Sequence, residues 1–379
     1  ATAHPFFHEP VQTGMRFNTL IIVTPLQYKD WRARSIKLSF YDYWLELENI
    51  PVYRGNFIED VYTLQLGDWP RLGGRGAYLS LANQQVTNGY VVEISPGADL
   101  KPERHLFEKI TYVLSGNGAT QVWQDGGKRL TFEWQAGSFF AIPLNAHHQH
   151  FNGSGSQPAR LMAATTAPEA LNQYHNLDFV FNNPFVFKDR FDPEQSDFFT
   201  AEGHSWGTRS WETNFVADVR SFELEAWEAK GAGARHMRFV MADSVYGCHI
   251  HELSPVTYVQ AHRHAAGAMI LVLSGSGYEI MYMKDGPRQR FELKPGAIIS
   301  PGTGMYHLHA NPNAEPLRQI AFRGGGFSLY GAGVGGPEAH MSELVPYDQE
   351  DPAVHEEFYA ECRSRGLEPV LMPIKQGPG

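Results

Sequence analysis

The chain repeats itself. Glu93-Ile94-Ser95-Pro96 returns as Glu252-Leu253-Ser254-Pro255, an offset of 159 residues. The same offset carries His105 to His264, Gly116 to Gly275, Gly118 to Gly277, Phe132-Glu133 to Phe291-Glu292, Gly137 to Gly296, His148 to His307 and Asn152 to Asn311. Upstream, Asn56-Phe57-Ile58-Glu59-Asp60-Val61 matches Asn214-Phe215-Val216-Ala217-Asp218-Val219 at an offset of 158. Self-similarity over this length means two copies of one folding unit, expected to stack about a pseudo-two-fold axis. A chain of 379 residues has room for two domains.

Each copy reads as short strands. Tyr90 to Ile94, Thr111 to Leu114 and Ala119 to Trp123 are rich in β-formers and bounded by Gly, Pro or Asp-Gly. Asp125-Gly126 and Asp285-Gly286 are hairpin signals. Many short strands with such turns predict an all-β sandwich or barrel. The flanks read as helical. Thr24-Pro25 offers a cap and first helical residue, and Leu38, Tyr41, Trp44, Leu45 and Glu48 follow at helical spacing. Asp351-Pro352 opens a second helix with Val354, Phe358 and Cys362 on one stripe and Gly366 closing it. The expected organisation is a helical N-terminal arm over 1–50, one β domain over 51–180, a linker over 181–200, a second β domain over 201–330 and a helical tail over 331–379. The Gly-rich stretch Gly324 to Gly336 reads as the exit from the second copy.

Bulk composition excludes several classes. The net charge of −10 makes nucleic acid an unsuited partner. No run reaches the ~18 apolar residues of a membrane span. Residues Ala1 to Pro10 lack a basic stretch followed by an apolar one, so no signal peptide is expected. The two cysteines, Cys248 and Cys362, exclude a disulfide framework and are expected to be reduced and buried, which suits the cytoplasm.

The histidines cluster. His262-Arg263-His264 precedes the apolar run Met269 to Leu273, and His307 follows the turn Pro301-Gly302-Thr303-Gly304. Alternate strand residues share a face, so His262 and His264 can aim into one cavity, and His307 from a facing strand completes a metal-binding trio. Imidazole suits iron, copper, nickel or zinc, and three protein ligands leave positions open for chemistry.

These residues give the chain its resemblance to the bicupins. The cupin family carries His-x-His with Glu four residues on and then Gly, followed by Gly, Pro, Gly, His and Asn at set intervals. The second copy matches through His262, His264, Gly275, Gly296, Gly304, His307 and Asn311. The first matches through Gly97, His105, Gly116, Gly137, Pro143, His148 and Asn152. The resemblance covers roughly residues 50 to 330 and implies two double-stranded β-helix (jelly-roll) domains with helical extensions. Two positions depart from the pattern. The glutamate position is Ala268 in the second copy, which leaves a neutral three-histidine site, and Lys109 in the first, where a cation would repel a metal.

His-Arg-His followed by Ala268 is similar to the three-histidine, gentisate-type ring-cleaving dioxygenases, whose second motif also carries His-x-His-x-Asn, as His307-Leu308-His309-Ala310-Asn311 does. The resemblance implies Fe(II), with Mn, Ni or Zn as alternatives, and dioxygen plus a small oxygen-bearing organic acid as co-substrates. A hydroxylated aromatic acid is one such substrate. It also implies a homo-oligomer. The expected activity is a cupin dioxygenase. The alternatives are a non-oxidative Zn, Mn or Ni isomerase or lyase, and a non-catalytic ligand-binding bicupin.

The candidate residues follow. His262, His264 and His307 are the expected ligands. His309 shares the parity of His307 and is the candidate acid or base. Tyr258 and Gln260 share parity with His262 if their strand is regular, and Ala268, Ile270 and Arg323 are further candidates to meet substrate, Arg323 by pairing with a carboxylate. In the first copy Glu103, His105 and His148 form a potential second metal site, opposed by a Lys109–Glu103 ion pair. His249 and His251 share one strand face, against the neighbouring sheet or the pocket.

Overall fold

The computed structural model describes residues 38–227, 230–231, 233–263, 268–323 and 344–370. His264 and the glycine-rich stretch from Gly324 to Gly336 lie outside them.

Alternation of apolar and polar residues builds the first barrel. Along Arg129–Gln135, Leu130, Phe132 and Trp134 turn inward while their neighbours are exposed. This strand pairs with Asn117–Trp123, as the Asp125-Gly126 hairpin predicts, and His147–Asn152 completes a three-stranded sheet. The opposing sheet runs Val52–Gly55, Gly74–Leu81, Asn88–Ile94, Ala159–Thr165, Lys109–Ser115, Phe139–Ile142 and Phe215–Val216, with Gly67–Trp69 on its flank.

The second barrel repeats this plan. Arg235–Val240, Gly247–Leu253, Leu317–Arg323, Ala268–Ser274 and Ile298–Ile299 form its larger sheet in that order. Thr257–Tyr258, Tyr306–Asn311, Gly277–Tyr282 and Gln289–Leu293 form the smaller one.

The two barrels trade strands. Phe57–Ile58 from the first half pairs with Ile298–Ile299 of the second, and Phe215–Val216 pairs back onto Phe139–Phe140 of the first. Matching hydrogen bonds flank each exchange, Val61 N–H to Gly296 O at 2.8 Å and Val219 N–H to Gly137 O at 2.9 Å. One continuous apolar core crosses the junction through Phe139, Met269, Leu271 and Phe322.

The repeated asparagines brace the barrels. Asn152 donates through Nδ2 to the carbonyls of Ile94, Ser95 and Gln157, and Asn311 does the same to Leu253, Ser254 and Glu315. Each satisfies several otherwise stranded backbone acceptors. Gly275 has φ +78°, and a Cβ there would lie 2.1 Å from Pro316 O, so the turn into Gly277–Tyr282 requires glycine.

In the N-terminal flank, helix Phe40–Glu48 begins at the Ser39 cap, and residues 24–37 fall outside the described set. Two short helices, Ala167–Tyr174 and Leu177–Asn182, follow the first barrel and occupy the end of the stretch 51–180 expected as the first β domain. Thr166-Ala167-Pro168-Glu169 is the start signal that marks the first of them. The C-terminal helix Pro352–Ser364 buries Val354, Phe358 and Cys362 on the outer face of the smaller second sheet. Cys248 and Cys362 are both buried and unbonded to each other. Among the described residues no helix is long and apolar enough to cross a membrane.

Candidate metal centre

Strand parity places His307 and His309 on the inner face of Tyr306–Asn311, while Leu308 and Ala310 face the C-terminal helix. His262 meets His307 through an isolated bridge, with ring centroids 4.3 Å apart. Ring nitrogens of His262, His307 and His309 lie within 4.8 Å of one another, all three residues buried. Nδ1 of His262 faces Gln260 O at 3.1 Å and Nδ1 of His307 faces Met305 O at 3.4 Å. Carbonyls in these places hold the N–H on Nδ1 and leave Nε2 as the donor, the arrangement metal-bound imidazoles use. The donor set therefore fits a transition metal.

The neighbourhood holds more than imidazoles. Nδ1 of His309 meets the Oε2 of Glu279, a residue with no solvent exposure. Burial raises the Glu279 carboxyl well above its usual range, and burial together with Lys230 pushes His309 down to about 3. Glu279 stands behind His309 and outside the cluster of ring nitrogens, which holds three histidines and no carboxylate. Its signal in the sequence was a glutamate in the middle of the apolar strand Gly277–Tyr282, opposite His309 in register.

His251 also belongs to the chamber. Its ring lies 4.8 Å from that of His309, and its Nε2 pairs with Gln319 Oε1 at 2.8 Å. His249 and His236 continue the row at 5.7 and 4.8 Å between successive rings. Burial holds all of these imidazoles well below their ordinary pKa, so they are neutral at pH 7.

Two cations border the same space. Lys230 is drawn down to about 8 by burial and by Arg323, and its charge acts on Glu279, His251 and His309. Arg323 lies opposite Ala268 in the sheet, and its charge reaches His249 and His307. Ala268 and Ile270 sit in the apolar cluster of the second barrel with Val259, Val272 and Met281. The Ala268 carbonyl accepts from Gln84 Nε2 at 3.0 Å and from Ser300 Oγ at 2.7 Å, so a first-half side chain braces this wall.

Tyr258 does not reach the site. The strand ends at Tyr258, and the irregular stretch from Val259 to Ala261 breaks the parity with His262. Tyr258 packs outward among Tyr278, Ala310 and Phe358, its hydroxyl bonded to His355 of the C-terminal helix. Gln260 contributes its carbonyl to His262.

The first barrel brings Glu103, His105 and His148 together within 4.8 Å, and Lys109 joins them. Lys109 Nζ lies 3.0 Å from Glu103 Oε1 and 2.9 Å from His148 Nε2. Arg71 bonds the other Glu103 oxygen at 2.7 Å and Glu48 at 2.7 Å. Against the desolvation of burial, Lys109 and Arg71 hold the Glu103 carboxyl well below its usual range. His147 lies on the rim, stacked on Trp123 and bonded to Asp125. His150 bonds Thr120 Oγ1 at 2.7 Å inside the barrel.

Residues 90–165 match the cupin domain family. No curated protein sequence matches the chain. Among solved structures, a deletion mutant of Bacillus subtilis oxalate decarboxylase is similar at 14% identity and TM-score 0.47, over 72% of this chain and 77% of that one. The formate complex of Lactobacillus farciminis oxalate decarboxylase is similar at 13% identity and TM-score 0.47, over 71% and 86%. Residues 90–165 thus carry a cupin domain, and the second half repeats its strand order.

Proposed function

We propose that the second barrel is the metal-dependent catalytic centre of an enzyme acting on a small, oxygen-bearing carboxylic acid, by a non-oxidative lyase or isomerase reaction. The observation that carries this reading is Glu279, a fully buried carboxyl seated against His309 beside the imidazole cluster. Burial favours the protonated form of this carboxyl, and bond cleavage or isomerisation next to a carboxylate needs a proton delivered to carbon.

His262 and His307, with His264 from the same motif, would hold the metal, and His309 stands close enough to complete the set. Bound there, the ion supplies a Lewis acid that draws electron density from a substrate oxygen. The chain's own groups do the rest. Arg323 and Lys230 give the chamber the positive charge that orients a carboxylate. Ala268, Ile270 and Val272 supply apolar walls that exclude water. Glu279 Oε2 and His309 Nδ1 stand against each other as the buried acid and base of the site. Manganese, iron, nickel and zinc all suit imidazole donors.

An Fe(II) dioxygenase is the second reading, supported by the uncharged imidazole set and Ala268 in the glutamate position. Oxygen consumption separates the two. The purified protein, loaded with Mn(II) or Fe(II), is to be incubated with a panel of small hydroxy-, keto- and dicarboxylic acids with and without oxygen. Turnover that proceeds unchanged under argon supports the lyase or isomerase reading. Turnover that stops without oxygen and consumes it stoichiometrically rejects that reading for the dioxygenase.

A further inference from the structure

We propose that the ammonium of Lys109 stands where a metal ion would stand in the first barrel, and that this one side chain keeps a complete donor set from taking up a divalent cation. The donors are in place. Glu103 Oε1, His105 and His148 offer ligand atoms within 4.8 Å of one another. Nδ1 of His105 faces Phe107 O at 2.9 Å and Nδ1 of His148 faces Ala146 O at 3.3 Å, which leaves both Nε2 atoms for a metal. The His105 Nε2 is buried with no hydrogen-bond partner. A carboxylate and two imidazoles in this relation form the facial triad that binds Fe(II) and its neighbours.

Lys109 fills the space among them. Its side chain is 1% exposed, and its ammonium bonds both Glu103 Oε1 and His148 Nε2. Glu103 Oε2 bonds Arg71, which bonds Glu48, so two carboxylates and two cations close a balanced network. A divalent ion would add uncompensated charge next to an ammonium in a buried site, where like charges repel strongly. In the second barrel the same strand position is Ala268, and the cation of that barrel is displaced to Arg323 on the adjoining strand. One residue thus sets an ammonium among the donors of the first barrel where the second barrel has a methyl group.

The test uses the full chain with His262→Ala and His307→Ala, so that only the first barrel reports and the outcome does not depend on the second-barrel reading. The protein is incubated separately with Mn(II), Zn(II) and, anaerobically, Fe(II), desalted, and analysed for metal and by native mass spectrometry. The background is expected to carry no stoichiometric ion. Adding Lys109→Glu is expected to bring about one ion per chain, and His148→Ala on top of it to remove that ion. Circular dichroism and thermal unfolding check that each variant folds, and Lys109→Ala serves if Lys109→Glu does not. A background protein that already holds one ion, lost on His148→Ala, overturns the proposal. Folded Lys109→Glu and Lys109→Ala proteins that both stay metal-free also overturn it.

Discussion

Glu279 and His309 face each other across paired antiparallel strands, at the register where the first barrel sets Thr120 against His150. The histidine is the same in both barrels. Its partner is a hydroxyl in one and a carboxyl in the other. A carboxyl behind an imidazole orients the ring and raises its strength as a donor, and losing such a partner weakens metal binding about 10- to 100-fold. Glu279→Gln and Glu279→Thr are therefore expected to fold and to weaken metal affinity by at least about tenfold, read by chelator competition. Unchanged affinity in both would remove Glu279 from the site.

The imidazole cluster makes a direct prediction about stoichiometry. The wild-type chain is expected to hold about one transition ion, His262→Ala and His307→Ala to lose it, and His105→Ala to keep it. Elemental analysis of anaerobically purified protein reads this out. Metal lost from His105→Ala but not from His307→Ala would reverse the assignment of the two barrels.

Ala268→Lys should copy the first barrel into the second. An ammonium at this position would enter the imidazole cluster, and the expected result is loss of the ion with the fold retained. Full metal content in a folded Ala268→Lys protein would count against the charge argument.

Buried neutral histidines make the protein sensitive to acid. Burial, with Lys109, lowers His148 from 6.5 to about 4. A group lowered on folding binds protons more tightly when unfolded, so its contribution is intact above 6.5 and is lost as the pH falls toward 4. For His148 this amounts to about 3 kcal/mol. His105, His150, His249 and His251 are lowered in the same direction. Urea unfolding of the metal-free protein should therefore show a midpoint that drops steeply between pH 6.5 and 4.5. A flat midpoint across that window would contradict the burial of these rings as neutral groups.

Tyr258 belongs to the packing of the C-terminal helix. Tyr258→Phe removes the hydroxyl bonded to His355 and should cost about 1 kcal/mol of stability with metal affinity unchanged. A change in metal affinity without a change in stability would return Tyr258 to the pocket.

Much of this was legible in the residues. The offset of 159 fixed the duplication, and the repeated His148/His307 and Asn152/Asn311 fell in equivalent places because strand period and turn glycines leave little choice of register. The short-range parity argument worked for His307 and His309, which share one regular strand. It failed for Tyr258, because one irregular stretch of backbone reverses which side a residue faces. Glu279 escaped notice because it carries no motif: its importance comes from the strand beside it, and pairing across strands is a tertiary fact. Lys230 is hidden for the same reason, being far from the motifs along the chain and near the histidines only in space.

The exchange of Phe57–Ile58 for Phe215–Val216 has a consequence for how such a protein can be divided. Cutting the chain between its halves would strip each fragment of an edge donated by the other and bare a row of unsatisfied amides. Each piece alone would seek a substitute, by aggregating or by pairing with its own kind, whereas the two expressed together should reassemble.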